Sequence, residues 1–495
     1  MKAQSNSETR VYTLLAILSL GSAGVYLITS WLTYRIGFPL DDAWIHQTYA
    51  RNLAVYGEWA FTRGHPSAGS TSPLWTLLLA IGHLIGWAPY LWTYLMGWLA
   101  LWGIALTGTW IYPWIRPESD KNMGWLVGAL LVLEWHLVWA AVSGMETALF
   151  SLIVLIAFAM LNAHRQNWLV LGGIIGLSIW VRPDGLTLLG PAILVCSMQT
   201  SPYRQRASQI ARLLVGFTLL FCPYLFWNRA LSGVMWPNTF YAKQAEYAVE
   251  LLEPLWKRLF EQAVTPNIGV GFLLIPGFIY SAFRALRDKK WAVLAGSLWV
   301  VGYLVVYALR LPVTYQHGRY VMPMMPVYFL WGLAGTTNLF HWSSSILWRR
   351  VLGKAWLVSI GLVCVVFWYQ GARAYGRDVA FIESEMVETS LWVHENTEPD
   401  ALVAAHDIGA LGYFGGRRLL DMAGLVSPEV IPFLRDEAQL EKWLTQENAD
   451  FLVTFPSWYP ELTKALEGVF RTEGAYSQAF DGESMVVYRW GLRLR

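Results

Sequence analysis

The sequence predicts a mainly α-helical, polytopic membrane bundle of about eleven spans, followed by a C-terminal extracytoplasmic α/β domain. Three observations carry that prediction. Hydrophobic residues make up 55% of the 495-residue chain and charged residues only 14%, with a mean hydropathy of +0.38. Soluble chains carry roughly a quarter charged residues, so this one lacks the charge to solvate a globular surface. Apolar runs long enough to cross about 30 Å of hydrocarbon recur as far as residue 369. Beyond 370 the charge returns to soluble density and short β-like runs appear.

The expected spans are 11–33, 91–112, 123–142, 146–162, 167–181, 185–199, 210–227, 268–284, 291–309, 321–340 and 351–369, within a membrane domain of residues 1–370. The first follows a polar segment, 1–10, and no small-residue cleavage signal follows it. It therefore reads as a retained span rather than a removed signal peptide. Basic residues cluster in alternate loops: Arg204, Arg206 and Arg212; Arg284, Arg287, Lys289 and Lys290; Arg349, Arg350 and Lys354; and more weakly Arg165. Placing these loops in the cytoplasm puts the N-terminus inside and the C-terminal domain outside a plasma or inner membrane. Eleven crossings satisfy both ends. The segment 73–88, apolar but short and opened by Pro73, is then expected to dip in from the outer side rather than cross.

Residues 371–495 form the second domain. Its strand candidates are 401–405, 451–455 and 485–488, and its helix candidates 379–396 and 437–448. Cys196, Cys222 and Cys364 all fall in apolar runs, with no Cys/His metal spacing. They read as small buried hydrophobes. A net charge of +2 gives no ground for nucleic-acid binding. The 29 Trp and 24 Tyr suit a membrane with water on both sides.

The polar residues concentrate in loops that this topology turns outward. The first, 34–72, opens with Asp41 and Asp42, followed by Ile45, Tyr49, Leu53 and Tyr56 at helical spacing. This predicts a short amphipathic helix lying at the interface, with Asp42 and His46 one turn apart on another face. Asp is a good N-cap, so one of the pair can cap this helix while the other reacts. Gly64 to Ser72 is small and hydroxyl-rich, fitting a turn before a helix begun near Ser72 and Pro73. Three cations stand beside helix breaks on the same side: Arg182 before Pro183, Lys243 after Asn238 and Tyr241, and Arg319 before Tyr320 and Pro323. One cation at a span end can simply snorkel. Three together fit a phosphate clamp, although Arg182 can instead pair with Asp184. Glu146 starts a span, where a helix dipole favours an acid.

The order of the Asp-Asp loop, Ser143-Gly144-Met145-Glu146-Thr147, Arg182-Pro183-Asp184-Gly185, Pro237-Asn238-Thr239-Phe240-Tyr241-Ala242-Lys243 and Gly318-Arg319-Tyr320 resembles the GT-C superfamily of polyprenyl-phosphate-sugar-dependent membrane glycosyltransferases. It looks most like relatives of the mycobacterial terminal arabinofuranosyltransferase and the protein mannosyltransferases. The resemblance runs from about residue 38 to 430 and includes 407–414 and 420–425. It implies transfer of a sugar from a polyprenyl-phosphate donor to a hydroxyl of a glycan, lipid or protein acceptor at the extracytoplasmic face of the cell envelope. It makes Asp41 the first choice of general base and Asp42 the second, with inversion at the anomeric carbon. Arg182, Lys243 and Arg319 are expected at the donor phosphate, and His46, Glu146, Asn238, Tyr241 and Tyr320 at the substrates. Asp42 with Glu146 would be the place for a divalent metal, without diagnostic ligand spacing. The main rival is a transporter or flippase of lipid-linked sugars, which would favour two-sided access and internal repeats. A third reading, a membrane anchor presenting the C-terminal domain, leaves the polar loops without a purpose.

Overall fold

A computed structural model describes residues 2–116, 124–163, 166–339, 346–477 and 482–490, with side chains from residue 9 onward. Arg165 lies outside the described residues. Six helices among these are long and apolar enough to cross a membrane: Thr9–Thr33, Pro89–Ile115, Tyr203–Ser232, Val270–Arg287, Trp291–Arg310 and Leu347–Asn396. The expected span 123–142 is broken into Gly124–Leu133 and Trp135–Val142, bent by 60°. Glu134 sits at the break in an extended conformation and caps the second half, accepting from Leu137 N–H at 3.1 Å. The remaining four expected spans are shorter helices: Thr147–Asn162, Trp168–Val181, Leu189–Ser197 behind a 3-10 turn, and Met325–Leu339. At 1.5 Å per residue even the longest, 16 residues, reaches only about 24 Å. The segment 73–88 forms the helix Pro73–Leu84, about 18 Å long by the same rise, with Ser72 at its N-cap position.

Between helices lacking a hydrophobic drive to associate in lipid, close backbone approach supplies the contact. Helices Trp168–Val181 and Tyr203–Ser232 meet through reciprocal glycines. A Cβ on Gly172 would fall on the Leu213 carbonyl oxygen, and one on Gly216 on the Leu169 carbonyl oxygen. The long helix Leu347–Phe381 shows the opposite face of the same logic. Val358, Leu362, Val365 and Val366 stand exposed on it, as lipid-facing side chains do.

This last helix does not stop at 370. It continues through a π-turn at Ile382–Val387 into Glu388–Asn396, so the bundle runs directly into the C-terminal domain. The domain is built on a five-stranded mixed sheet in the order 418–421, 402–405, 451–454, 486–489, 468–471. The first three strands are parallel and the last two join antiparallel. Side chains alternate across it. Leu402, Ala404, Leu452 and Val486 pack on one face against Leu440 and Leu444 of the helix Glu437–Gln446. Val403, Ala405, Val453 and Val487 face the other way and belong to the same apolar core as the membrane bundle. The domain is thus fused to the bundle rather than hung from it.

The helix Asp42–Tyr56 departs from expectation. Residues Ala43 to Ala50 are all buried, so it does not lie on an interface with one wet face. It is wedged between the helix Pro73–Leu84 and the C-terminal domain's turn at 409–415.

Candidate active site

Two cavities meet at this helix. The first, about 420 Å³, has apolar walls from Leu186, Trp236, Phe240, Val306 and Leu311, and polar groups from Asp42, His46, Glu146, Arg182, Lys243, Arg319 and Tyr320. The second, about 900 Å³, opens between the bundle and the C-terminal domain and is lined by Asp41, Asp42, Lys243, Glu246, His317, Arg319, Asp378, His406 and Asp407. Asp42, Lys243 and Arg319 line both and stand where the two communicate.

The adjacent carboxylates have separate fates. Asp41 precedes the helix but makes no capping bond to it. Its two oxygens instead accept the backbone N–H groups of Gly409 (2.6 Å) and Ala410 (2.7 Å), at the start of the C-terminal domain's helical turn. Gly409 is required for this approach, since a Cβ there would fall on the Asp41 carbonyl oxygen. Arg51, on the same helix, donates to the Tyr413 and Gly412 carbonyls (2.6 and 3.1 Å), and Trp44 packs on Tyr413 and Phe414. The turn is therefore gripped at both ends, an anion on its free N–H groups and a cation on its free carbonyls. Burial raises the proton affinity of Asp41, the charge of Asp407 adds to this, and the two N–H bonds oppose it.

Asp42 points instead to the cavities. Its Oδ2 receives Arg319 Nη2 at 2.5 Å, and its side chain keeps 29% exposure. Burial acts to raise its pKa, but the Arg319 charge and then Lys243 outweigh it, holding the carboxyl below its usual range. Arg319 also donates to the Tyr320 hydroxyl at 3.2 Å, yet its buried Nε and Nη1 have no partner among the described residues. A guanidinium with two open donors is prepared for a planar anion.

The other cations are already engaged. Arg182 donates to Asp184 (3.0 Å), Glu146 (3.3 Å) and the Tyr307 hydroxyl (3.2 Å), so its pairing with Asp184 is realised. Lys243 Nζ lies 3.1 Å from Glu246, which also faces His406 at 3.4 Å. His46 is held by Thr76 and Ser70 (3.1 and 3.2 Å) on one ring nitrogen and stands 3.7 Å from Glu146 on the other. Asn238 and Tyr241, expected at the substrates, line neither cavity. Asn238 is buried and ties loops together, donating to the Leu425 and Ala68 carbonyls. Gly69 likewise admits the C-terminal domain, its absent side chain leaving room for Val426.

The metal position expected at Asp42 and Glu146 does not fit. Each carboxylate is committed to a different arginine. Among the described residues no group of three His, Cys, Asp or Glu has a metal-holding arrangement.

Sequence reasoning missed His406, Asp407 and Glu246. The segment at 407 was noticed only for its resemblance, and nothing local marks a loop 366 positions from Asp41 as its neighbour. The pairing with Asp41 arises from the fold.

A family model described as a domain of unknown function (DUF8728) matches residues 377–488. No curated protein matches the chain. Solved structures do share its fold. ArnT from Cupriavidus metallidurans bound to undecaprenyl phosphate is 13% identical, covering 97% of this chain and 98% of that one with a TM-score of 0.60. The Archaeoglobus fulgidus oligosaccharyltransferase in the apo form is 11% identical over 90% of this chain and 69% of that one, at a TM-score of 0.63. The oligosaccharyltransferase AglB from the same organism, in complex with an inhibitory peptide and a dolichol-phosphate, is 12% identical over 91% and 70%, at 0.60. At these identities the likeness is one of fold: the chain shares the architecture of these solved structures, in line with the fold expected from the order of its motifs.

Proposed function

We propose that the protein is a membrane glycosyltransferase that moves a hexosyl or pentosyl unit from a polyprenyl-phosphate donor to an acceptor hydroxyl at the extracytoplasmic face, with Asp42 as general base. One observation carries the reading. An apolar-walled cavity and a larger one of mixed lining share Asp42, Lys243 and Arg319 at their junction, where a lipid-borne phosphate and a hydroxyl-bearing acceptor would meet. The fold neighbours named for undecaprenyl phosphate and dolichol-phosphate support the donor class by analogy.

The residues then divide the reaction. Leu186, Phe240, Val306 and Leu311 receive the first isoprenoid units. Arg319, through its open Nε and Nη1, binds the phosphate, with Lys243 beside it. The acceptor oxygen attacks the anomeric carbon while its proton passes to Asp42. The bond from the anomeric carbon to the phosphate oxygen breaks, and its electron pair leaves on the phosphate. The growing charge there is met by Arg319 and Lys243. Displacement from the opposite face inverts the anomeric centre. Tied to Arg319, Asp42 is a weak base. A phosphate on the open donors offsets the Arg319 charge and adds its own negative charge, raising the basicity of Asp42 when the donor is in place. Asp41 fastens the C-terminal domain to the loop that carries the base.

The test is the lipid that accompanies the purified full chain, read by mass spectrometry, together with transfer from a polyprenyl-phosphate sugar in reconstituted membranes. Polyprenyl phosphate or its glycosylated form is expected, with transfer lost in Asp42→Asn and kept in part in Asp41→Asn. Transfer at wild-type rate in Asp42→Asn would remove it as the base.

A further inference from the structure

We propose that Asp407 holds the acceptor's hydroxyl groups and that the acceptor is a glycan, its sugar ring lying on Trp458. The inference rests on the glycosyltransferase reading and names the acceptor class for the same site.

Asp407 lines the 900 Å³ cavity beside Asp42, and accepts no hydrogen bond from any described residue in the structure. Its neighbours are charged on every side: His406 on its own loop, Asp42 and Asp41 from the first loop, and Lys243 and Glu246 from the helix Asn238–Glu246. A half-buried carboxylate that faces a cavity with no protein donor on it is open to donors from a ligand. Sugar hydroxyls are such donors. Burial raises the Asp407 pKa to about 6, so the carboxylate still accepts hydrogen bonds at neutral pH.

The topology explains why this loop and not another reaches the site. In sheets with parallel strands, ligands bind outside the carboxyl ends of the strands. The strand Leu402–Ala405 ends into His406 and Asp407. Its parallel neighbour Phe451–Thr454 ends into the turn Pro456–Trp458 and Tyr459. These two ends form one wall of the cavity. Trp458 is 45% exposed and its ring meets His406 edge-on at 5.1 Å, while His406 is held by the Tyr459 hydroxyl at 2.7 Å. Arg435 and Glu437 line the same cavity. An open aromatic ring in a cavity that also carries carboxylates and a guanidinium suits a sugar, whose C–H face is apolar and whose rim is hydroxyl. A peptide acceptor would seek an unpaired strand edge, and the two edge strands, 418–421 and 468–471, supply no residue to this cavity. This cavity carries the larger share of polar lining of the two, which suits a hydroxyl-rich acceptor. The grip of Asp41 on Gly409, two residues on, fixes Asp407 in place.

Saturation-transfer NMR on the full chain in nanodiscs tests this, with methyl α-D-mannopyranoside and methyl α-D-arabinofuranoside as probes. Decaprenyl phosphate binding to the same samples is measured in parallel. The ring protons of at least one glycoside should be saturated by the wild type, and Asp407→Asn and Trp458→Ala should each cut that signal at least fivefold. Both variants should bind decaprenyl phosphate as the wild type does, which reports that they are folded. Equal glycoside signal in Asp407→Asn, or no signal from either glycoside in the wild type, overturns the inference in favour of a peptide or lipid acceptor. Glycoside binding without any decaprenyl phosphate binding overturns the donor reading and leaves the glycan site standing.

Discussion

Replacing Asp42 by Asn should make the protein bind polyprenyl phosphate more tightly while abolishing transfer. In the resting structure Asp42 occupies one nitrogen of Arg319 at 2.5 Å, and the guanidinium's other two donors are open. A phosphate on those donors would stand about 6 Å from the Asp42 carboxylate, and like charges at that distance repel by about 3 kcal/mol at an effective dielectric constant of about 20. The Asp42 side chain is 29% exposed, so solvent screening reduces this to about 1–2 kcal/mol. Asn keeps the shape and removes the charge. The expected result is a Kd for decaprenyl phosphate lower by roughly 5- to 30-fold, at about 1.4 kcal/mol per factor of ten. Microscale thermophoresis in nanodiscs would read it, alongside an assay of sugar transfer. An unchanged or weaker affinity in Asp42→Asn would refute the competition between the carboxylate and the donor phosphate for Arg319.

Three further expectations follow from particular contacts. Arg51→Ala removes the cation from the carbonyl end of the 409–415 turn. Hydrogen exchange there should quicken by about 10- to 100-fold, as losing charge-assisted hydrogen bonds worth about 1.5–3 kcal/mol implies. Exchange in the helix Pro89–Ile115 should not move. Gly216→Val forces a side chain onto the Leu169 carbonyl and should destabilise the bundle by about 1–3 kcal/mol, seen as a lower Tm in nanodiscs; an unchanged Tm would contradict the close crossing. Because burial lifts the Asp407 pKa to about 6, its accepting form is lost as pH falls through that value. Acceptor KM should therefore rise on going from pH 7 to pH 5 while donor affinity changes little, and Asp407→Asn should abolish this pH dependence.

How much of the molecule was legible depended on whether the signal was local. The strands 402–405, 451–454 and 486–489 stood out because each is an apolar run deep in its sheet. The strands Arg418–Asp421 and Gly468–Arg471 did not. They are edge strands, one bounded by Arg418 and Asp421 and the other ending on Arg471, and charge at an edge is how sheets avoid pairing with one another. The break at Glu134 was missed because its flanks are apolar enough to read as one span, and a single acid does not reveal that it caps a new helix. The interfacial reading of the helix Asp42–Tyr56 failed for a related reason. Its polar face is covered by another domain, through Asp41 and Arg51, and amphipathicity reports only that a face is polar, not what meets it.

The sequence by itself determined the helical bundle, the mixed α/β C-terminal region and the loops where polar residues gather, because apolar length and charge density are properties of contiguous residues. It also singled out Asp41 and Asp42 as a pair. Only the tertiary structure separated their surroundings. Successive residues on a helix point about 100° apart, so neighbours in sequence face different surroundings. One carboxylate met the N–H groups of a turn 368 residues later. The other met Arg319 at the junction of two cavities, where the proposed chemistry places its base.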